Sequence, residues 1–141
     1  MGLKLIGGEQ LQNRGGVNNY SVLAMTVVYK LHWDMIELHR YQFEDGRAPV
    51  TEWLNTLRDG RARAQVEIRL RRVAVGNFGD CKPVGEGVSE LRIDVGAGYR
   101  VYFGRHGQTL IILLCGGDKS SQQADIAHAK EYWTNWKRSN S

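Results

Sequence analysis

Arginine, tyrosine and lysine side chains are concentrated in the last third of the sequence, where polar and apolar residues alternate. Arg92, Arg100 and Tyr102 lie in two short alternating segments, and Lys119 follows a third segment that is almost wholly apolar. Guanidinium groups bind phosphate oxygens through paired hydrogen bonds, lysine adds a mobile cation, and a tyrosine ring can stack on a base or orient an arginine. These residue types together indicate a site for a phosphate-containing ligand.

The alternation predicts that these segments form a meander of three antiparallel strands. A glycine-rich turn at residues 96–98 connects the first two strands, and glycine supplies the positive φ that such turns need. If the loop consists of those three residues alone, Asp94 lies opposite Arg100 and Arg92 lies opposite Tyr102. Because both arginines alternate with core residues, replacing either one with alanine is expected to leave the core intact.

The remaining elements predict an α+β fold. Residues 110–115 are apolar on both faces, as expected of a covered inner strand, and the sequence GGDK at residues 116–119 is expected to leave the sheet. The other predicted elements are a strand at residues 35–43, a helix starting at Pro49, a helix at residues 61–76 and a last helix starting near Gln122. The sheet should be rich in antiparallel pairs, with the two earlier helices on one face and a C-terminal helix.

Two interpretations remain open for the positive charges. Arg69 and Arg72 on the second helix, together with Lys82, could bind RNA as a flank that faces phosphate, or the helix arginines could simply form a solvated face. Likewise, Asp94 and Arg100 could form an exposed cross-strand ion pair, which contributes at most ~1 kcal/mol. The pattern alone does not separate these interpretations.

Composition sets further bounds on the chain. The 141 residues suffice for one core, and a net charge of +4 suits a polyanionic partner. Two cysteines without metal-ligand spacing favour a reduced, cytoplasmic protein, and no apolar run reaches the roughly 20 residues of a membrane span. Residues 1–34 differ in character from the rest, so we expect a flexible leader or a mis-assigned start, with a single domain at residues 35–141.

Several motifs resemble those of the phage-derived addiction-module killer proteins, which are HigB-like toxins of the RelE superfamily. With x for any residue, they are in chain order WLxxLRD at 53–59, RARA at 61–64, GNxGD at 76–80, GxGVSELRI at 85–93, GYRVYF at 98–103, GGDK at 116–119 and QQxDIxxA at 122–129. The resemblance therefore covers most of the predicted domain and excludes residues 1–34.

The resemblance implies a RelE-like fold and a toxin of a type II toxin–antitoxin system, acting in the cytoplasm without metal or cofactor. Such toxins are endoribonucleases that inhibit translation, and many cut mRNA on the ribosome. A HigA-like antitoxin with a helix-turn-helix would silence the toxin and carry the complex to operator DNA. The resemblance points to Arg92, Arg100 and Lys119 as catalytic residues, with Tyr102 as a fourth, and to Lys82 as an RNA-binding residue.

The chemistry that such a toxin needs can be compared with these side chains. The 2′-OH of RNA attacks the adjacent phosphate, and the site must assist its deprotonation, stabilise the phosphorane and help the 5′-oxygen to leave. His106 and His128 lie outside the motif core and are expected at the surface. A site without a well-placed histidine suits an enzyme that relies on the ribosome to position its substrate. The alternatives are a non-catalytic RNA- or ribosome-binding protein and a co-repressor module of the same fold.

The leader hypothesis can be tested by truncation. If residues 1–34 are accessory, a protein that starts at Met35 should keep the melting temperature and the toxicity of the full chain, because the core lies downstream. A large loss of soluble yield or of melting temperature would instead show that the first 34 residues pack on the core.

Overall fold

The computed structural model describes residues 35–141, so the predicted leader lies outside the described residues. The described strands are β1 (Glu37–Arg40), β2 (Cys81–Gly85), β3 (Val88–Ile93), β4 (Tyr99–His106) and β5 (Leu110–Asp118). They form one sheet in the order β1-β5-β4-β3-β2, in which β1 runs parallel to β5 and the other three pairings are antiparallel. The sheet is therefore mixed, and the predicted α+β class is confirmed.

Three helices accompany the sheet in this part of the chain: α1 (Pro49–Thr56), α2 (Gly60–Ala74) and α3 (Gln122–Ser139). Each begins where the sequence offers a start. Pro49 is the first residue of α1, and the Asp59 carboxylate accepts hydrogen bonds from the backbone N–H groups of Arg61 and Ala62 to cap α2. Helix α1 ends at Thr56, so Asp59 lies beyond it and serves the following helix.

The two faces of the sheet carry separate apolar cores. One core joins α1 and α2 to the sheet through residues such as Leu54, Val66 and Leu70, and the other joins α3 to the opposite face through Ala129 and Trp133. The buried residues of α2 recur every three or four positions, as in an amphipathic helix: Ala62, Val66, Leu70 and Val73. The helices thus lie on both faces of the sheet.

Strand β5 explains why its sequence is apolar on both faces. Ile111 belongs to the core under α1 and α2, whereas Ile112 and Leu114 belong to the core under α3. Burial raises the pKa of the Cys115 thiol to about 12, which keeps this thiol protonated and unreactive. The inner-strand prediction is confirmed.

The predicted register of the β3–β4 hairpin is wrong by two residues. Ile93 pairs with Tyr99, so the loop spans residues 94–98. Two local backbone hydrogen bonds close this loop: the Val95 N–H donates to the Ile93 carbonyl and the Gly98 N–H to the Val95 carbonyl, each at 3.0 Å. Because these groups bond within the loop, the strand pairing ends at Ile93. The positive φ expected of the turn glycines is present, at 55° for Gly96 and 77° for Gly98.

Other boundaries also differ from expectation. Residues 81–85, where no element was predicted, make the edge strand β2, in which Pro83 is tolerated because an edge strand needs fewer N–H donors. Gly116 and Gly117 stay in the sheet, because the absence of a side chain lets Trp53 pack on Gly116 and the Asp125 carboxylate approach Gly117. Strand β1 is shorter than predicted, ending at Arg40.

No helix within residues 35–141 combines the length and the apolar character that crossing a membrane requires.

Gly104 offers a test of the packing between α3 and the sheet. The Trp133 ring lies directly on Gly104, so an added methyl group would overlap the ring. We expect Gly104→Ala to lower the free energy of unfolding by about 1–3 kcal/mol, as overpacking does. The measurement is denaturant unfolding of the purified protein.

The matched control is Gly60→Ala, because a Cβ at this helical position meets nothing within 4 Å. It should leave stability unchanged or slightly raised, since alanine favours helix more than glycine does. Equal stability of the two variants would show that the Trp133 ring does not rest on Gly104.

Candidate functional site

The shifted hairpin register places two arginines directly opposite each other on neighbouring strands. Arg92 of β3 pairs with Arg100 of β4, and their side chains share the sheet face that α3 covers farther along. Both line an open cavity of about 360 Å³ together with Lys119. Like charges directly opposite on a sheet are destabilising, so their juxtaposition requires compensation from neighbouring groups.

Asp80 supplies the compensation for Arg92. Both Nε and Nη2 of Arg92 donate to Oδ1 of Asp80, at 3.1 and 2.8 Å. This hydrogen bonding raises the pKa of Arg92 above its ordinary value. The two side chains are 36% and 53% exposed, so water screens the pair, and its main effect is to orient the guanidinium.

Glu90 supplies the compensation for Arg100, in a very different environment. The Glu90 side chain is fully buried, and one of its oxygens lies 3.5 Å from Nε of Arg100, whose side chain is 12% exposed. The same oxygen accepts hydrogen bonds from the Tyr102 hydroxyl at 3.2 Å and from the Gln122 side-chain amide at 2.9 Å. Within the described residues, neither the other Glu90 oxygen nor Nε of Arg100 has a hydrogen-bond partner, so the Arg100 charge depends chiefly on its contact with the Glu90 carboxylate.

Arg100 therefore differs from the expectation drawn from the sequence. It was expected to be replaceable by alanine without cost to the core and to face Asp94. Instead it faces Arg92, and its removal would leave the buried Glu90 carboxylate without a counter-charge.

Tyr102 is fully buried and lies away from the cavity. Burial, followed by the nearby Glu90 carboxylate, raises the pKa of its hydroxyl, which donates to that carboxylate. A ring with no exposed face cannot stack on a base, so that part of the prediction is corrected. Tyr102 instead helps to hold the carboxylate that pairs with Arg100.

Lys119 begins a short 3₁₀ turn (Lys119–Ser121) directly after β5, and it is exposed. Its aliphatic stem crosses Gly98, where a Cβ would come within 2.6 Å of the lysine Cε. The ammonium group thus reaches the cavity over the hairpin loop, and within residues 35–141 it forms no ion pair with a carboxylate.

The three predicted RNA-binding residues do not line the cavity. Arg69 braces the structure, since its guanidinium donates to the backbone carbonyls of Phe78, Asp80 and Arg92. Arg72 is exposed on α2, which packs on the other face of the sheet. Lys82 is exposed on β2 opposite Glu90, so it shares the face of the cavity without reaching it.

Asp80, Glu90 and Gln122 are site residues that the sequence interpretation missed. The alternation of Glu90 with Arg92 along β3 was a usable signal, because it placed both on one face. Asp80 and Gln122 carried no comparable signal, since each comes from a different part of the chain.

The cavity can bind a phosphate group through two forks and a mobile cation. Two nitrogens of Arg92 donate hydrogen bonds to Asp80, whereas the terminal nitrogens of Arg100 donate to no described residue and are open to a ligand. His106 and His128 are exposed and pack edge-on or stacked against aromatic rings, so neither lines the cavity. Within residues 35–141, no cluster of three His, Cys, Asp or Glu side chains could hold a metal ion.

Comparison with known proteins finds a relative for which no activity is described. No protein-family model matches the chain. A Haemophilus influenzae protein, described only as an uncharacterized protein, is 54% identical over 78 residues, which is 55% of this chain and 79% of that protein.

The buried ion pair gives a quantitative expectation. Glu90→Gln keeps the shape of the side chain but leaves the buried Arg100 charge without a counter-charge. We expect it to lower the free energy of unfolding by about 3 kcal/mol, because breaking a buried pair strands the other charge. Denaturant unfolding at neutral pH measures this loss.

Asp80→Asn is the control, because it makes the same chemical change at a solvent-exposed arginine pair. It should cost much less stability than Glu90→Gln, because water screens an exposed pair. Similar losses in the two variants would mean that Arg100 reaches solvent and does not depend on Glu90.

Proposed function

We propose that this protein, which belongs to the same family as the uncharacterized Haemophilus influenzae protein, is an endoribonuclease. We further propose that it has the RelE-like fold and is the toxin of a type II toxin–antitoxin system, cutting mRNA on the ribosome. The motifs resembling HigB-like toxins support this proposal, together with the geometry of the cavity.

One observation carries the proposal: Arg92, Arg100 and Lys119 line the same open cavity. Placing Arg92 opposite Arg100 lowers the stability of the sheet, and the buried Glu90 carboxylate beside Arg100 carries a desolvation penalty. An arrangement that costs stability is expected where a ligand uses it. A phosphodiester carries one negative charge and two non-bridging oxygens, which can accept hydrogen bonds from the two guanidinium groups.

The proposed reaction uses the RNA's own 2′-OH as nucleophile. Its oxygen bonds to phosphorus while the bond from phosphorus to the 5′-oxygen breaks, giving a 2′,3′-cyclic phosphate and a 5′-hydroxyl end. Arg92 and Arg100 stabilise the additional charge on the phosphorane, and Lys119 offers a proton or positive charge to the leaving oxygen. Asp94, which lines the cavity and forms no ion pair within the described residues, is the carboxylate available to accept the 2′-OH proton.

The proposed partners follow from the same resemblance. In the cytoplasm, mRNA and the ribosome would be the substrate and its positioning surface, and a HigA-like helix-turn-helix antitoxin would silence the protein. Contact with operator DNA would be made through that antitoxin.

A second candidate is a non-catalytic RNA- or ribosome-binding protein of the same fold. It is favoured by the cavity lining, in which no imidazole stands beside the three cations, and by the burial of Tyr102. This candidate needs the cations for binding and needs no bond cleavage.

The variants that test catalysis must spare the buried carboxylate. Lys119→Ala and Arg92→Ala remove exposed or half-exposed cations, and Arg100→Lys keeps the charge beside Glu90 while removing the fork. Each should lower the rate of ribosome-dependent mRNA cleavage roughly 30- to 1000-fold, by analogy with lost oxyanion donors. The readouts are mapped mRNA 5′ ends and relief of growth arrest at unchanged protein level.

Arg61→Ala is the control, because it removes the same charge from an exposed position on α2 away from the cavity. It should cleave like the unaltered protein. Wild-type rates for all three cavity variants would refute the catalytic assignment. Salt-sensitive ribosome binding that depends on the same cations, without cleavage, would establish the second candidate instead.

A further inference from the structure

A second cavity, of about 590 Å³, lies beside the first at an open edge of the sheet. Strand β1 pairs only with residues 110–113 of β5, so among the described residues no strand lies beyond the last five residues of β5. The cavity occupies this gap, between the end of α1 and the beginning of α3.

Two aromatic rings form its apolar wall. Trp53 and Tyr99 lie with their ring centroids 6.2 Å apart and their planes inclined by 59°, and both are half-buried. Trp53 rests on the backbone of Gly116, where a side chain would collide with the ring, so its position is fixed by the sheet beneath it. A fixed ring with an accessible part is a stacking surface that loses little entropy when a flat ligand binds.

Three carboxylates form the polar wall, and each uses one oxygen locally. Asp59 caps α2 with Oδ1, Asp118 accepts from the backbone N–H and the hydroxyl of Ser120 with Oδ1, and Asp125 accepts from Ser121 with Oδ2. Within the described residues, the second oxygen of each carboxylate accepts no hydrogen bond. The Ser120 hydrogen bonds lower the pKa of Asp118, so this carboxylate is ionised at neutral pH and acts purely as an acceptor.

This lining selects against one class of ligand and for another. Three carboxylates against the single guanidinium of Arg58 repel a phosphate, so the cavity does not repeat the chemistry of its neighbour. A neutral, flat ligand that stacks on an aromatic ring and donates N–H groups to carboxylates satisfies both walls. Nucleobases with an exocyclic amino group have this character, as when Asp or Glu accepts from the N4 amino group of cytosine.

The two cavities lie next to each other on the sheet. Arg100, which lines the phosphate cavity, pairs with Gly117, which lines the second cavity, and the neighbouring pair is Tyr99 with Asp118. The Trp53 and Tyr99 rings lie on the α1 side of the sheet, and the Arg92 and Arg100 side chains lie on the α3 side. An RNA strand therefore joins the two cavities by passing around this end of the sheet, where Asp118 lines one cavity and Lys119 lines the other.

We propose that this second cavity binds an amino-bearing nucleobase, namely adenine, cytosine or guanine, of an RNA strand whose phosphate lies between Arg92 and Arg100. The proposal rests on the proposed function for the phosphate, and it adds a base-selecting subsite formed by Trp53, Tyr99 and Asp118. Uracil, which has no exocyclic amino group and carries a carbonyl oxygen on each side of its N3–H, is the base that the carboxylates disfavour.

Free nucleosides test the cavity without any phosphate. Adenosine and cytidine should shift the NMR signal of the Trp53 indole N–H in the full chain, and uridine should shift it much less. Asp118→Asn should reduce the difference between cytidine and uridine, because the amide replaces one acceptor by a donor. Asp45→Asn, an exposed carboxylate beside Arg47, is the control and should change nothing.

Short oligouridine strands test the coupling to the phosphate site. A strand with one central adenosine should bind the full chain roughly 5- to 100-fold more tightly than a strand with an abasic site there, as loss of one base–aromatic stack predicts. Tyr99→Leu should remove most of that difference, and Tyr99→Phe should keep it because the ring remains.

The outcomes separate the two proposals. If nucleosides leave the Trp53 signal unmoved, and the adenosine and abasic strands bind equally while binding still depends on Arg92, the base subsite is refuted and the phosphate site stands. If nucleosides bind with the expected preference but oligonucleotide binding ignores Arg92 and Arg100, the phosphate site is refuted and the base subsite stands. Uridine binding as well as cytidine refutes the proposed selectivity.

Discussion

The contact between the buried Glu90 carboxylate and the Arg100 guanidinium is the interaction on which the candidate site depends. A charge removed from water is costly unless an opposite charge and hydrogen bonds replace the lost hydration. Tyr102 and Gln122 donate to the same Glu90 oxygen, so three elements of the fold converge on one carboxylate. This convergence fixes Arg100 at the floor of the cavity, with its terminal nitrogens available to a ligand.

The second arginine is held by a weaker and more exposed partner. Asp80 lies in the loop before β2, and the Arg69 guanidinium secures that loop by donating to its backbone carbonyls. Arg92 can therefore exchange its carboxylate for a phosphate at little cost, because an exposed ion pair contributes little. A buried and an exposed pair side by side give one rigid fork and one adaptable fork toward the same ligand.

The open end of β5 gives the fold its second opportunity for binding. Because β1 is short, the edge of β5 that faces away from β4 is flanked at residues 114–118 by the ends of α1 and α3, and no described strand pairs with it there. Because Gly116 and Gly117 have no side chains, Trp53 and Asp125 can approach the backbone of this edge. Stacking and hydrogen-bonding groups are thereby placed one strand away from the cations.

The sequence by itself determined most of the elements and which of their faces are buried. Hydrophobic periodicity identified α1, α2 and α3, alternation identified β3 and β4, and the apolar run identified β5 as covered on both faces, because burial imposes these periods directly on the residues. Residue chemistry also selected Arg92, Arg100 and Lys119, which the structure brings to one cavity. A local sequence pattern can reveal these features because the face on which such a residue lies is set within its own strand or helix.

Only the tertiary structure decided the register and the partners. A loop of five residues rather than three moved Arg100 from Asp94 to Arg92, because the loop closes on its own backbone, a choice that alternation cannot distinguish. The partners Asp80, Glu90 and Gln122 come from separate elements, and the burial of Tyr102 follows from the packing of α3. Such contacts join residues distant in the chain, so no local pattern encodes them, and they are what converts a set of basic side chains into a site.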